Sequence, residues 1–179
     1  MPRILIVTGE ASGDLHGAHL VKALKELAPS LQIVGIGGAS MRAAGAELVK
    51  DIPQLDVMGL IGLSAVKAML QRISRIRALI KRERWDLVVL IDNPGLNFHF
   101  ARVARACRLK VVYYIAPQVW AWRRGRMRWI QQRVDHVLAI LPFEEPLYKK
   151  AGVRCTFVGN PILDEVASTY DREALRRQF

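Results

Sequence analysis

Three stretches of this sequence are apolar without alternation: Arg3–Thr8 (RILIVT), Leu87–Ile91 (LVVLI) and Lys110–Ile115 (KVVYYI). A strand with one face in water alternates apolar and polar residues, so such runs predict strands covered on both faces. Between them lie segments of helical spacing: Gly13–Leu27, with Leu20, Ala23, Leu24 and Leu27, then Val66–Arg84, Phe98–Arg108 and Arg124–Arg133. Shorter strands are expected at Leu31–Ile36, Glu47–Val49, Val134–Leu141 and Cys155–Val158, with short helices near Ser40–Ala44 and from Phe143. Strand and helix alternate with short connections, which predicts an α/β fold, a Rossmann-like doubly wound parallel sheet. At 179 residues the chain is about one domain, expected over residues 1–162. Residues 163–179 read as a linker or the start of a helix. The charged stretch ASTYDREALRRQF has nothing after it to pack on, which reads as a chain cut at a linker; a natural amphipathic C-terminal helix is the alternative.

Several classes are disfavoured at once. The apolar run Ile4–Val7 is too short for the core of a secretory signal. The longest uncharged apolar run, Val57–Val66 (VMGLIGLSAV), falls short of the ~18 residues of a membrane span. Cys107 and Cys155 lack CxxC spacing and nearby His, so neither a disulfide framework nor a zinc site is expected, and a reducing compartment fits. Charge is the unusual property: 27 basic against 16 acidic residues, net +11, which calls for an acidic partner. No RNP, KH or helix-turn-helix signature accompanies it, so nucleic acid is not the expected partner.

In open parallel sheets, ligands bind beyond the carboxyl ends of the strands. Three polar clusters are expected there. The first is TGEASGDLHG, residues 8–17, where Gly9 and Gly13 permit a tight turn and Ser12 or Asp14 could cap the next helix. Glu10 adds a second carboxylate that a plain cap does not need. The stretch is not GxGxxG, which disfavours a dinucleotide. The second is Asp92, a carboxylate closing a buried strand, with Pro94 and Gly95 setting a turn and Asn97 available as a helix cap. Shielded from bulk water, such an Asp can serve as a general base toward a hydroxyl. The third is YYIAPQVWAWRRGR, residues 113–126, in which Gln118, Trp120 and Trp122 suit a sugar ring or an acyl chain, and the arginines suit phosphate or solvent. A glycine-rich turn, Gly35-Ile36-Gly37-Gly38, is weak evidence for a phosphate contact.

The segment Val66–Arg84 is basic and amphipathic, with Val66, Met69, Ile73, Ile76 and Ile80 on one side and Lys67, Arg75 and Arg82 on the other. With the apolar stretch before it, this predicts a membrane-surface element. Val57, Met58, Leu60, Ile61, Leu63, Lys67, Arg72 and Arg75 are the expected contacts. The alternative is a core-packed helix with a solvated face.

Together, GEASGD (9–14), VMG (57–59), IDNPGLN (91–97), QVWAWR (118–123), LPFE (141–144) and FVGNP (157–161) resemble lipid-A-disaccharide synthase through nearly the whole chain. Two positions depart from the family pattern: Gly95 stands where an acidic residue is common, and Asn160 where a histidine is. The resemblance implies the N-terminal half of a GT-B glycosyltransferase, inverting, without metal or redox cofactor. It implies transfer from UDP-2,3-diacylglucosamine to lipid X, giving lipid A disaccharide and UDP, on the cytoplasmic face of a Gram-negative inner membrane. Asp92 matches the family's proposed base. Glu10, Ser12, Gly13, Asp14, Asn97, Gln118, Trp120 and Trp122 fall on the expected acceptor side. The C-terminal domain of such an enzyme supplies most of the UDP site, so these residues alone are expected to be inert. Two rivals remain: a non-catalytic basic domain binding anionic lipid, and another GT-B or epimerase-type nucleotide-sugar enzyme.

Overall fold

The computed structural model describes residues 1–50, 52, 63–118 and 125–165. Within them, seven strands form one sheet in the order β3-β2-β1-β4-β5-β6-β7, every neighbouring pair parallel. The strands are β1 (Arg3–Thr8), β2 (Gln32–Ile36), β3 (Glu47–Leu48), β4 (Leu87–Ile91), β5 (Lys110–Tyr114), β6 (His136–Ala139) and β7 (Cys155–Phe157). The helices are α1 (Ala11–Leu27), α2 (Ala39–Ala43), α3 (Leu63–Arg82), α4 (Pro94–Ala106), α5 (Gly125–Arg133), α6 (Glu144–Lys150) and α7 (Ile162–Glu165). This is the expected Rossmann-like doubly wound fold. The strand order reverses between β1 and β4, so the crevice of the sheet opens beyond Thr8 and Ile91.

The unbroken apolar strands serve two cores. Leu5, Val7, Val88, Leu90, Val111 and Tyr113 pack under α3, α4, α5 and α6, whereas Ile4, Ile6, Val89, Ile91 and Tyr114 pack under α1 and α2. Burial on both faces is why no polar alternation appears in these strands.

Three local expectations are corrected. Helix α4 starts at Pro94 rather than Phe98: proline is tolerated at the first helical position, and Asn93 caps the helix by accepting from the Leu96 N–H at 3.2 Å. Asn97 therefore caps nothing. Neither Ser12 nor Asp14 caps α1, whose N-cap Glu10 makes no capping bond with its side chain. The apolar stripe of α3 is also shifted. Ile76 and Ile80 are buried, but Val66, Met69 and Leu70 are 56%, 42% and 61% exposed. Arg72, one turn before Ile76, takes the inward position instead.

Candidate active site

The crevice is built from the tips of β1 and β4. Thr8, the last residue of β1, is 1% exposed and its hydroxyl donates to the Ile36 carbonyl, tying β1 to β2. Gly9 follows because a side chain there would run into Asn93, across the crevice. Glu10 then meets Asn93 directly, its Oε1 accepting from Asn93 Nδ2 at 3.2 Å. The two loops of the switch point are thereby joined.

Beyond Ile91 the backbone turns left-handed twice, at Asp92 (φ 49°) and Asn93 (φ 39°). Neither residue is glycine; Asp and Asn are among the side chains that tolerate this region best, and the surroundings support the turn further. The holding groups are visible. The Asp92 N–H donates to the Tyr114 carbonyl at 3.1 Å. Its own carbonyl accepts from Asn97 Nδ2 at 2.7 Å and from the Tyr113 hydroxyl at 2.8 Å. Asn97 Nδ2 also donates to the Ile91 carbonyl at 2.9 Å. Burial raises the Tyr113 pKa, and the neighbouring Asp92 charge raises it further, so the phenol stays protonated and able to donate. The Asp92 side chain is half-buried and stands at the crevice.

Several residues expected to bind substrate prove to build the site. Asp14 is 5% exposed, and its carboxylate accepts from the backbone N–H groups of Gly38, Ser40 and Met41 at 2.6, 3.0 and 3.2 Å. It caps the start of α2, the glycine-rich turn that had suggested a phosphate contact. Gly13 is buried where α1 crosses β1, and a Cβ there would lie 3.2 Å from that of Thr8. Asn97 is 1% exposed and faces backbone carbonyls, as above. Glu10, Ser12 and Gln118 are exposed at the same end of the sheet. Gln118 follows Pro117, whose carbonyl accepts from the buried Tyr148 hydroxyl at 2.8 Å, so α6 anchors the approach to that loop. Trp120 and Trp122 lie outside the described residues, as do Val57, Met58, Leu60 and Ile61 and the side chain of Leu63.

Arg72 is the clearest correction among the expected membrane contacts. It is 5% exposed, and its Nη2 donates to the Thr8 carbonyl at 3.1 Å, so it faces the crevice floor rather than a lipid surface. Lys67 and Arg75 are exposed, beside the bare Val66, Met69 and Leu70. No helix among the described residues is long and apolar enough to cross a membrane. Tyr113 and Tyr148, whose hydroxyls bond to the Asp92 and Pro117 carbonyls, carry no signal of this in the sequence, because a tyrosine within or beneath an apolar strand reads as core.

With this geometry in view, comparison with known proteins is decisive on one point. A family model described as Lipid-A-disaccharide synthetase matches residues 4–179. The chain belongs to the lipid-A-disaccharide synthase family. It is 46% identical over 177 residues to the lipid-A-disaccharide synthase of Syntrophus aciditrophicus, covering 98% of this chain and 46% of that protein. The Geobacter metallireducens synthase is 47% identical over 175 residues, covering 97% of this chain and 46% of its own length. The chain thus spans about half the length of these relatives. Among solved structures, UDP-GlcNAc 2-epimerase from Neisseria meningitidis bound to UDP-GlcNAc superposes with a TM-score of 0.64 at 11% identity, over 99% of this chain and 54% of that one. A UDP complex of S. aureus MnaA gives 0.66 at 15% identity, over 99% and 51%. At such identities the likeness is one of fold, and it agrees with the Rossmann-like sheet.

Proposed function

We propose that this chain is the acceptor-side half of an inverting glycosyltransferase of lipid A biosynthesis. The reaction joins UDP-2,3-diacylglucosamine to lipid X, giving lipid A disaccharide and UDP. Asp92 accepts the proton of the acceptor 6-hydroxyl as that oxygen attacks the anomeric carbon and the UDP oxygen leaves from the opposite face. The observation that carries this reading is the Asp92 carboxylate, half-exposed on a left-handed turn at the switch point of the sheet, in a chain of this family. A positioned base of this kind contributes about 10²–10⁴ in rate. Glu10, Ser12 and Gln118 border the acceptor. The mechanism calls for no metal or redox cofactor.

The exposed Val66, Met69 and Leu70, flanked by Lys67 and Arg75, support a peripheral contact with the anionic inner face of a Gram-negative inner membrane. Each basic residue near such a surface adds about 1 kcal/mol before screening. The nucleotide site belongs mainly to a C-terminal domain of the kind that the other half of the relatives' length accommodates. Residues 1–179 alone then carry the base and the lipid-facing surface and form no product. The test is a disaccharide-forming assay on two forms, the chain alone and the chain continued by a relative's second half. Product from the continued form only is the expected result. Product from neither, with vesicle binding intact, would favour the non-catalytic lipid-binding module.

A further inference from the structure

We propose that Tyr113, acting with Asn97, is the positioning residue that aims the Asp92 carboxylate. This rests on the reading of Asp92 as the base. The backbone that carries the Asp92 side chain is held at both its N–H and its C=O. That backbone is in the left-handed region at both Asp92 and Asn93; Asp and Asn tolerate this region better than other non-glycine residues, but as single residues, so two in succession call for outside support.

The hold comes from the neighbouring strand and the following helix together. Register pairs Leu90 with Tyr113 and Ile91 with Tyr114, so β5 runs alongside the last residues of β4. The Tyr114 carbonyl accepts from the Asp92 N–H, and the Tyr113 hydroxyl donates to the Asp92 carbonyl. Asn97, from the first turn of α4, closes the remaining approach to that carbonyl and to that of Ile91. Both clamp residues are sealed from water, Tyr113 at 0% and Asn97 at 1% exposure. The Tyr113 ring is fixed by edge packing on Phe98, at 6.4 Å between centroids and 70° between planes. Packing alone would be served by a phenylalanine. The hydroxyl finds its acceptor in the Asp92 carbonyl, and the Asn97 side chain bonds to the same hydroxyl. The Ile91–Asp92 peptide is held at both its C=O and its N–H, and the Asp92–Asn93 peptide at its C=O, so the Cα–Cβ bond of Asp92 keeps one direction as the acceptor arrives. Displacement of a reacting group by about 1 Å lowers rates by about 10².

Two readouts test this. In the chain continued by its second half, Tyr113→Phe keeps the ring and removes the donor. The expected result is a fall in kcat of about 10- to 100-fold, with the acceptor KM within about threefold. An unchanged kcat overturns the proposal, as does a loss of kcat that merely tracks loss of folded protein. In residues 1–179 alone, crystal structures or three-bond HN–Hα couplings of the wild type, Tyr113→Phe and Asn97→Ala report the turn directly. Loss or mixing of the left-handed geometry at residues 92 and 93 in the variants supports the clamp. Its retention in both overturns the clamp even if the wild-type enzyme makes no disaccharide, an outcome that would instead remove the reaction assigned above.

Discussion

Replacing Asp14 is the sharpest test of how the crevice is held together. Its buried carboxylate accepts from three backbone N–H groups at the start of α2, those of Gly38, Ser40 and Met41. In Asp14→Ala these donors lose their acceptor. Gly38 and Met41 are buried, so water does not replace it there, while the half-buried Ser40 is reachable. An orphaned buried donor costs about 1–3 kcal/mol, so two of them put the loss at about 2–6 kcal/mol. Asp14→Asn keeps one carbonyl oxygen for Gly38 and Met41 but turns an NH₂ toward the Ser40 N–H, with an expected loss of about 1–2 kcal/mol. Urea unfolding of residues 1–179 measures both. The midpoint should fall at unchanged m, in the order wild type, Asn variant, Ala variant. In thermal unfolding the Ala variant should melt roughly 4–24 °C lower. A loss below about 1 kcal/mol for Asp14→Ala would refute the reasoning, because it would mean that the amides find other acceptors.

Three further outcomes are expected. Val66→Asp combined with Leu70→Asp should weaken binding to anionic vesicles by about tenfold or more, since each side chain would otherwise bury up to ~2 kcal/mol of apolar surface. Stability should stay within about 0.5 kcal/mol per site, because both residues are already exposed; equal vesicle binding would remove the lipid-facing role of α3. Burial pushes the Cys155 thiol up to about 11, so at pH 8 its thiolate fraction is about a thousandth. Iodoacetamide should therefore modify the half-buried Cys107 first and Cys155 only in denaturant, and equal rates in the native chain would contradict that burial. Gly9→Ala drives a methyl into Asn93 and should separate the β1 and β4 loops; product formation by the continued form should fall at least tenfold, and wild-type kcat would show that the two loops need not touch.

The strands were legible because burial on both faces leaves an unmistakable mark, and β1 and β4 begin and end where their apolar runs do. The tip residue Asp92 was legible for the same reason, as a charge closing such a run. What pattern could not resolve was which polar groups face the crevice and which face the protein. Asp14 and Asn97 carry site-like chemistry in site-like motifs, yet the tertiary fold turns both toward backbone. Helix α3 misled by its own period. Its apolar residues form a stripe that runs through Val66 and Met69, and only the packing shows Arg72, not Met69, turned inward beneath β1. Tyr113 left no trace, because a hydroxyl at the end of an apolar strand looks like any core aromatic until the carbonyl it serves is placed.

The central claim is that Asp92 removes the acceptor proton. The most direct measurement is single-turnover disaccharide formation by the chain continued with a relative's second half, comparing the wild type with Asp92→Asn under saturating acceptor. The account predicts a fall of about 10² or more in the chemical step with acceptor binding retained. A variant that forms product within a few-fold of the wild-type rate would contradict it, and Asp92 would then be no more than a turn residue.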